Sequence, residues 1–286
     1  MNPAELLERQ SFVELSARAR VEGLLDEATM RELIGPFERL TSPWLAKQDI
    51  VTQADDGVVI ARGTLDGTNV VVAAIEPAFQ GGSMGEVGGA KIAGALELAA
   101  EDAAAGNPVV PILLLETGGV RLQEANCGLA AIAEIHAAIV ELRDWVPVLG
   151  VSTGPVGCFG GMSIAAGLCS QLLVTREARL GLNGPQVIEQ EAGVAEFDSR
   201  DRPMIWQLLG GAQRTAIGLA DELVDDDLAD IRSRLARAVQ KTPAPLARTA
   251  HVEDFQALLA AIDPAERADA NAVQTAFRQH IGDDHE

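Results

Sequence analysis

Val146-Pro-Val-Leu-Gly-Val151 leads through Ser152-Thr-Gly-Pro-Val-Gly-Cys-Phe159 to the pair Gly160-Gly161, then into Met162-Ser-Ile-Ala-Ala-Gly-Leu-Cys169. An earlier stretch has the same form: Val109-Val-Pro-Ile-Leu-Leu-Leu115, then Glu116-Thr-Gly-Gly119. Each is a short apolar run ending at a glycine pair ahead of a helical pattern. A strand that stops this way leaves backbone N–H groups unpaired, has no Cβ to hold a ligand off, and faces it with the electropositive end of a helix. Two such turns make a place for an oxyanion. Gly118, Gly119, Gly160 and Gly161 are therefore the expected catalytic positions, acting through backbone amides. Against this stands the plainer reading, that glycine pairs after strands are only turns.

Outward from these turns, strands alternate with helices. Residues 56–75 read as a hairpin closed at Asp66-Gly-Thr-Asn69. Phe79-Gln-Gly-Gly-Ser-Met-Gly-Glu86 then opens a helix with Ile92, Leu96 and Ala99 on one face, which ends at Gly106-Asn-Pro108. A long helix from about Gln123 to Arg143 carries Leu129, Ile132, His136 and Ile139, and short strands follow at 171–175 and 179–182. Buried, largely parallel strands alternating with helices predict an α/β fold of stacked β-β-α units. Residues 1–50 are expected to be helical, with Thr29 and Glu32 at capping-box spacing. Residues 51–225 form the core, and 226–286 a C-terminal helical arm and tail. Residues 213–240 read as one amphipathic arm, and 241–250 as a Pro- and Ala-containing linker.

The chain has 286 residues, enough for one large domain, and 48% of them are hydrophobic but only 3% aromatic. Its core must be Ala, Val, Leu and Ile. A net charge of -20 disfavours nucleic acid and anionic membranes as partners. Apolar runs fall short of a membrane span, and no signal peptide is evident. Three cysteines without CxxC spacing argue against a disulfide scaffold or a zinc site and suit a reducing cytoplasm.

Several ordered motifs then carry a resemblance over about residues 17–225. Ala17-Arg-Ala-Arg-Val-Glu-Gly-Leu-Leu-Asp26, Asp56-Gly-Val-Val59, Gly63-Thr-Leu-Asp-Gly67, Gly81-Gly-Ser-Met-Gly-Glu86, Lys91-Ile92, Thr117-Gly-Gly-Val-Arg-Leu-Gln-Glu124 and Gly184-Pro-Gln-Val-Ile-Glu-Gln190 resemble the carboxyltransferase subunits of acyl-CoA carboxylases and decarboxylases. Within that family, Gly157-Cys-Phe-Gly-Gly-Met162 is similar to the β subunits of biotin-independent malonate decarboxylases. Thr117 stands where the family has Ser or Ala, the spacer between Gly154-Pro155 and Gly160-Gly161 is longer, and the four-cysteine zinc ribbon of some members has no counterpart here.

The resemblance implies a crotonase-like spiral and decarboxylation of a malonyl thioester through an enolate. It further implies an acyl carrier protein with a phosphoribosyl-dephospho-CoA arm, no biotin, and no cofactor or metal held by this chain. The implied partners are a γ subunit, the carrier protein and a carrier protein transferase. Substrate contacts are expected from Gly81, Gly82, Ser83, Met84, Gly85, Thr117, Arg121, Cys158, Phe159 and Gln186. The bland alternatives are a salt bridge from Arg121 or Lys91 to Glu124 or Glu86, packing for Cys158, a hydrogen-bonded core role for His136, and a solvated helix end for Asp225-Asp-Asp227. Rival functions are a biotin-dependent carboxyltransferase, a noncatalytic partner, and a hydratase or isomerase, which would need a pocket carboxylate.

Overall fold

The computed structural model describes residues 9–49, 57–242, 248, 251–263, 265 and 269–281. Among the described residues its frame is a seven-stranded sheet in the order β1 (Arg31–Leu33), β2 (Val58–Leu65), β3 (Thr68–Ile75), β4 (Val110–Leu114), β5 (Leu149–Ser152), β7 (Gln171–Thr175), β9 (Glu222–Val224). Val-rich β2 (Val58–Leu65) and β3 (Thr68–Ile75) pair antiparallel around Asp66-Gly67. Both turn residues have positive φ, 49° and 76°, the two-residue geometry that Asp-Gly favours because its twist matches that of the strands. Parallel pairing then runs from β3 through β4 (Val110–Leu114), β5 (Leu149–Ser152) and β7 (Gln171–Thr175) to β9 (Glu222–Val224). A second, two-stranded parallel sheet joins β6 (Cys158–Phe159) to β8 (Leu180–Gly181).

Helix α1 (Ala17–Leu24) starts at Ser16, whose hydroxyl oxygen accepts from the Ala19 N–H. Helix α2 (Glu86–Ala104) buries Ile92, Leu96 and Ala99 as the periodicity predicts, and it ends ahead of Gly106. It packs on α3 (Cys127–Leu142) so closely that a Cβ on Gly89 would lie 2.4 Å from the Ala131 Cβ. Helix α4 (Gly161–Leu168) follows the second glycine pair. Helices α5 (Pro185–Ala192), α6 (Arg202–Leu209) and α7 (Gly211–Ala216) lie beyond β8, and α8 (Leu228–Ala238) beyond β9. Two more, α9 (Val252–Ala261) and α10 (Ala270–Ile281), pack on one another through Phe255 and Phe277. The principal core holds Val, Ile, Leu and Ala from both faces of the sheet. This is the crotonase-like arrangement of β-β-α units. Among the described residues no helix is long and apolar enough to cross a membrane.

Three expectations are corrected. The helix read from Thr29 and Glu32 is instead β1 (Arg31–Leu33), an antiparallel edge strand on β2. Thr29 Oγ1 donates to Asp26 O and accepts from the Thr64 N–H, and Glu32 pairs with Arg18, so neither side chain caps anything. The single arm read at 213–240 is broken by β9, which belongs to the main sheet. Asp225 to Asp227 do more than meet solvent: Asp226 accepts from Ser11 and Val13, and Asp227 caps α8 and pairs with Arg9. Most of the 241–250 linker, residues 1–8 and 50 of the N-terminal reading, and residues 51–56 lie outside the described residues.

Candidate functional site

The first glycine turn leaves the C-terminal end of β4 with its backbone held on three sides. Thr117 N–H donates to Gly157 O at 2.7 Å, Gly118 N–H to Gly81 O at 2.9 Å, and Gly119 O accepts from Met84 N–H at 2.7 Å. Gly119 needs its φ of 114°, and its N–H meets Thr117 Oγ1 at 3.1 Å. Behind the turn, Arg20 reaches from α1 to Glu116, Nη1 to Oε2 at 2.8 Å, with both side chains almost fully buried. Arg20 also donates to Phe12 O and Val13 O, so each of its three guanidinium nitrogens has an acceptor.

The Gly81–Gly85 loop is packed directly against this turn. A Cβ on Gly82, at φ 66°, would sit 2.1 Å from Glu116 O. Gly85 likewise faces Glu124 and Arg121 too closely for any side chain. Arg121 is 1% exposed. Its guanidinium pairs with Glu124 at 2.9 Å, donates to Ser83 Oγ at 3.1 Å and Ser83 O at 2.6 Å, and lies over the Phe79 ring. Glu124 accepts in turn from the Glu86 N–H. Arg121 is thus the clamp of the loop, with the Glu124 salt bridge that stood as the alternative to a substrate contact. Lys91 is also buried, with Nζ on Val58 O.

The second pair opens α4. Gly160 N–H donates to Leu182 O at 2.9 Å, and Gly160 has φ 64° and ψ -149°, a conformation left essentially to glycine. The pairs meet: a Cβ on Gly160 would lie 3.3 Å from Gly119 Cα and 3.8 Å from Val120 N. Of the four glycines, Gly118 and Gly160 therefore spend their N–H groups on backbone carbonyls. Among the described residues no acceptor pairs with the N–H of Val120 or Gly161. Val120 was not singled out in the sequence, because no side-chain pattern marks a free amide.

Other expected contacts are placed elsewhere. Cys158 is fully buried in the core, where desolvation and then the neighbouring Cys169 push its thiol far up, in keeping with the packing role that stood as its alternative. Phe159 packs with Phe197, Ile205 and Leu209, and Arg179 stacks between Phe159 and Trp206. Met84 is buried too, and it serves the turn through its backbone. Gln186 stands exposed on the first turn of α5.

Two features escaped the motif reading. Gln80 carries a positive φ of 49°, and both polar atoms of its amide are buried with no hydrogen-bond partner among the described residues. His136, expected to be a hydrogen-bonded core residue, has its partner at the site: Nε2 lies 2.7 Å from Gly161 O. Two cavities are lined by residues other than those of the turns. One of about 480 Å³ is lined by Arg62, Asn69 and Asp102, and one of about 420 Å³ by Trp206, Gln213 and Gln274. The glycine turns instead lie near exposed apolar side chains, Leu122 at 79% and Leu182 at 61%. Among the described residues no three His, Cys, Asp or Glu side chains converge as metal ligands.

A crotonase-like sheet carries the abutting glycine turns, and residues 13–277 match the carboxyl transferase domain family. The chain belongs to that family. It is 38% identical over 245 residues to the malonyl-S-ACP:biotin-protein carboxyltransferase MADC of Malonomonas rubra, covering 82% of this chain and 77% of that one. A Pseudomonas malonate decarboxylase hetero-tetramer, solved in complex with malonate, contains a chain 62% identical, with a TM-score of 0.93 over 96% of this chain and 100% of that one. A Pseudomonas MdcD-MdcE hetero-dimer matches at 57% identity and a TM-score of 0.76, over 89% and 98% of the respective chains.

Proposed function

We propose that this chain is the β-type subunit of a biotin-independent malonate decarboxylase. It releases CO2 from a malonyl thioester borne on an acyl carrier protein, together with a second, γ subunit of related fold. The observation that carries the reading is the contact of Gly119 with Gly160, which gathers amides of both turns at one spot. The relatives support the substrate class: the 62% identical chain belongs to a malonate decarboxylase, and the 38% identical one is named for malonyl-S-ACP.

The reaction breaks the bond between the malonyl α-carbon and its carboxylate. The electron pair passes into the enolate, whose charge rests on the thioester oxygen, and CO2 leaves. A proton added at the α-carbon then gives the acetyl thioester. Amides already aimed at that oxygen stabilise the enolate more than the ground state, which lowers the barrier. The Val120 N–H serves from the first turn and the Gly161 N–H from the second, at the positive start of α4, while the Gly119 N–H is held by Thr117 Oγ1. Each such donor is worth about 2.7–4 kcal/mol. Thr117 and the Gly81–Gly85 loop hold the first turn in shape.

Leu122 and Leu182, left exposed near the turns, fit a site completed by the partner subunit. The carrier's phosphoribosyl-dephospho-CoA arm brings the malonyl group to that interface, and a transferase loads the carrier. The chain works in the cytoplasm without biotin of its own. A second reading, transfer of the carboxyl to biotin, is favoured by the name of the Malonomonas relative. CO2 release from malonyl-loaded carrier protein by the two-subunit complex, with avidin present, separates them. Avidin-resistant release is expected; release abolished by avidin would move the chain to the biotin-dependent carboxyltransferases.

A further inference from the structure

We propose that His136 is a positioning residue for the Gly161 amide, an inference that rests on the decarboxylase reading. Gly161 is the first residue of α4 and has no side chain to limit its own dihedral angles. A Cβ there would press on Ile132, 2.7 Å from its Cγ2. Its backbone is pinned from outside instead. On one side of its Cα, Gly160 O accepts from Ser163 N–H at 3.0 Å and from Ser163 Oγ at 2.8 Å. On the other, Gly161 O faces His136 Nε2 at 2.7 Å.

Both peptide planes that flank the Gly161 Cα are thereby fixed, and with them the direction of its N–H. His136 and Ile132 stand one helical turn apart on α3, so a single face of that helix braces both the Cα and the carbonyl of Gly161. The hydrogen bond needs the proton on Nε2, because the carbonyl only accepts. His136 does not reach the reacting atoms in this account. It removes the freedom of a glycine whose amide must be aimed before the charge develops, and misplacement by about 1 Å costs on the order of a hundredfold in rate.

The test compares His136→Phe, which keeps the bulk but cannot donate, with His136→Gln, whose amide nitrogen can. Gly161-Met162 is the only Gly-Met pair in the sequence. Labelling glycine with carbonyl 13C and methionine with 15N therefore reports this one peptide in the full chain. Expected are a shifted Gly161–Met162 signal and a kcat at least tenfold lower in the two-subunit complex for His136→Phe. KM for malonyl-loaded carrier protein should stay within about twofold, and His136→Gln should recover most of both readouts. An unmoved signal in His136→Phe, or a moved signal with wild-type kcat, would overturn the proposal. A wild-type complex that releases no CO2 would overturn the decarboxylase reading, and the labelled peptide would still report whether His136 holds it.

Discussion

Gly160 stands so close to Gly119 that a methyl group on it would lie 3.3 Å from the Gly119 Cα. Gly160→Ala therefore meets two penalties, a tight contact and a backbone conformation closed to alanine. We expect stability to fall by about 1–3 kcal/mol, and turnover to fall at least tenfold as the turns are pushed apart. Gly167→Ala, in the same helix with open space around it, is the control and should be neutral or slightly stabilising. Chemical denaturation and CO2 release of both variants make the comparison, and equal behaviour would contradict it.

Arg20 and Glu116 tie α1 to the first turn from behind. Removing one partner strands a buried charge, which costs about 3–5 kcal/mol. Arg20→Met and Glu116→Gln are each expected to lower the denaturation midpoint strongly, and the double variant to lose less than the sum of the two. Gly154 presses on the same carboxylate, its hypothetical Cβ falling 1.5 Å from Glu116 Oε1, so the turn has no room for a larger replacement there. Additive losses in the double variant would show that the two groups do not interact.

Gln80 adopts positive φ without being glycine, and it buries an amide with no partner among the described residues. Each unsatisfied group costs about 1–3 kcal/mol. Gln80→Gly, which removes the amide and suits the backbone, should raise the melting temperature of the isolated chain. An unchanged or lower melting temperature would mean that the side chain is paying its way through packing.

The alternation of apolar runs with helical stretches was legible because buried parallel strands need Val, Leu and Ile on both faces. The glycine pairs were legible too, since both turns need backbone that a Cβ would block. What could not be read was which amides remain free: Gly118 and Gly160 are consumed by Gly81 and Leu182, residues distant in sequence. Arg121 looked like an anion site for the same reason, as its buried contacts with Ser83 and Phe79 come from another loop. Strand β1 was hidden because Thr29 and Glu32 have the spacing of a cap, while their real partners, Thr64 and Arg18, are set by the tertiary fold.

Asp26 gathers the hairpin turn. Its carboxylate accepts from the N–H groups of Asp66 and Gly67 and from Thr64 Oγ1, and it pairs with Arg232. These bonds, Gly67's first, hold its pKa below the usual 3.8. A carboxylate lowered on folding stabilises the native state above its unfolded pKa, and that contribution is lost as pH falls through the folded value. Asp26→Asn should thus be less stable than wild type at pH 7, with the gap narrowing below about pH 4. Urea titrations at pH 7 and pH 3 check this; a gap that stays constant would remove the charge from the explanation.

Gly161 allows the amide itself to be tested. At the first position of α4, proline's fixed φ is tolerated and its missing N–H breaks no helical bond. Any Cβ there presses on Ile132 at 2.7 Å, so Gly161→Pro alone would mix a clash with a lost donor. Gly161→Ala carries the same clash and keeps the N–H, and the ratio of the two variants isolates the donor. If Gly161 N–H holds the enolate oxygen, proline should be slower than alanine by about a hundred- to a thousandfold in kcat. Adding Ile132→Ala to both relieves the clash and should leave that ratio standing. The same replacement at Gly119 would be uninformative, because its φ of 114° is closed to proline and its N–H is already held by Thr117 Oγ1. Equal rates for Gly161→Ala and Gly161→Pro would place the enolate's donors on the first turn or on the partner subunit.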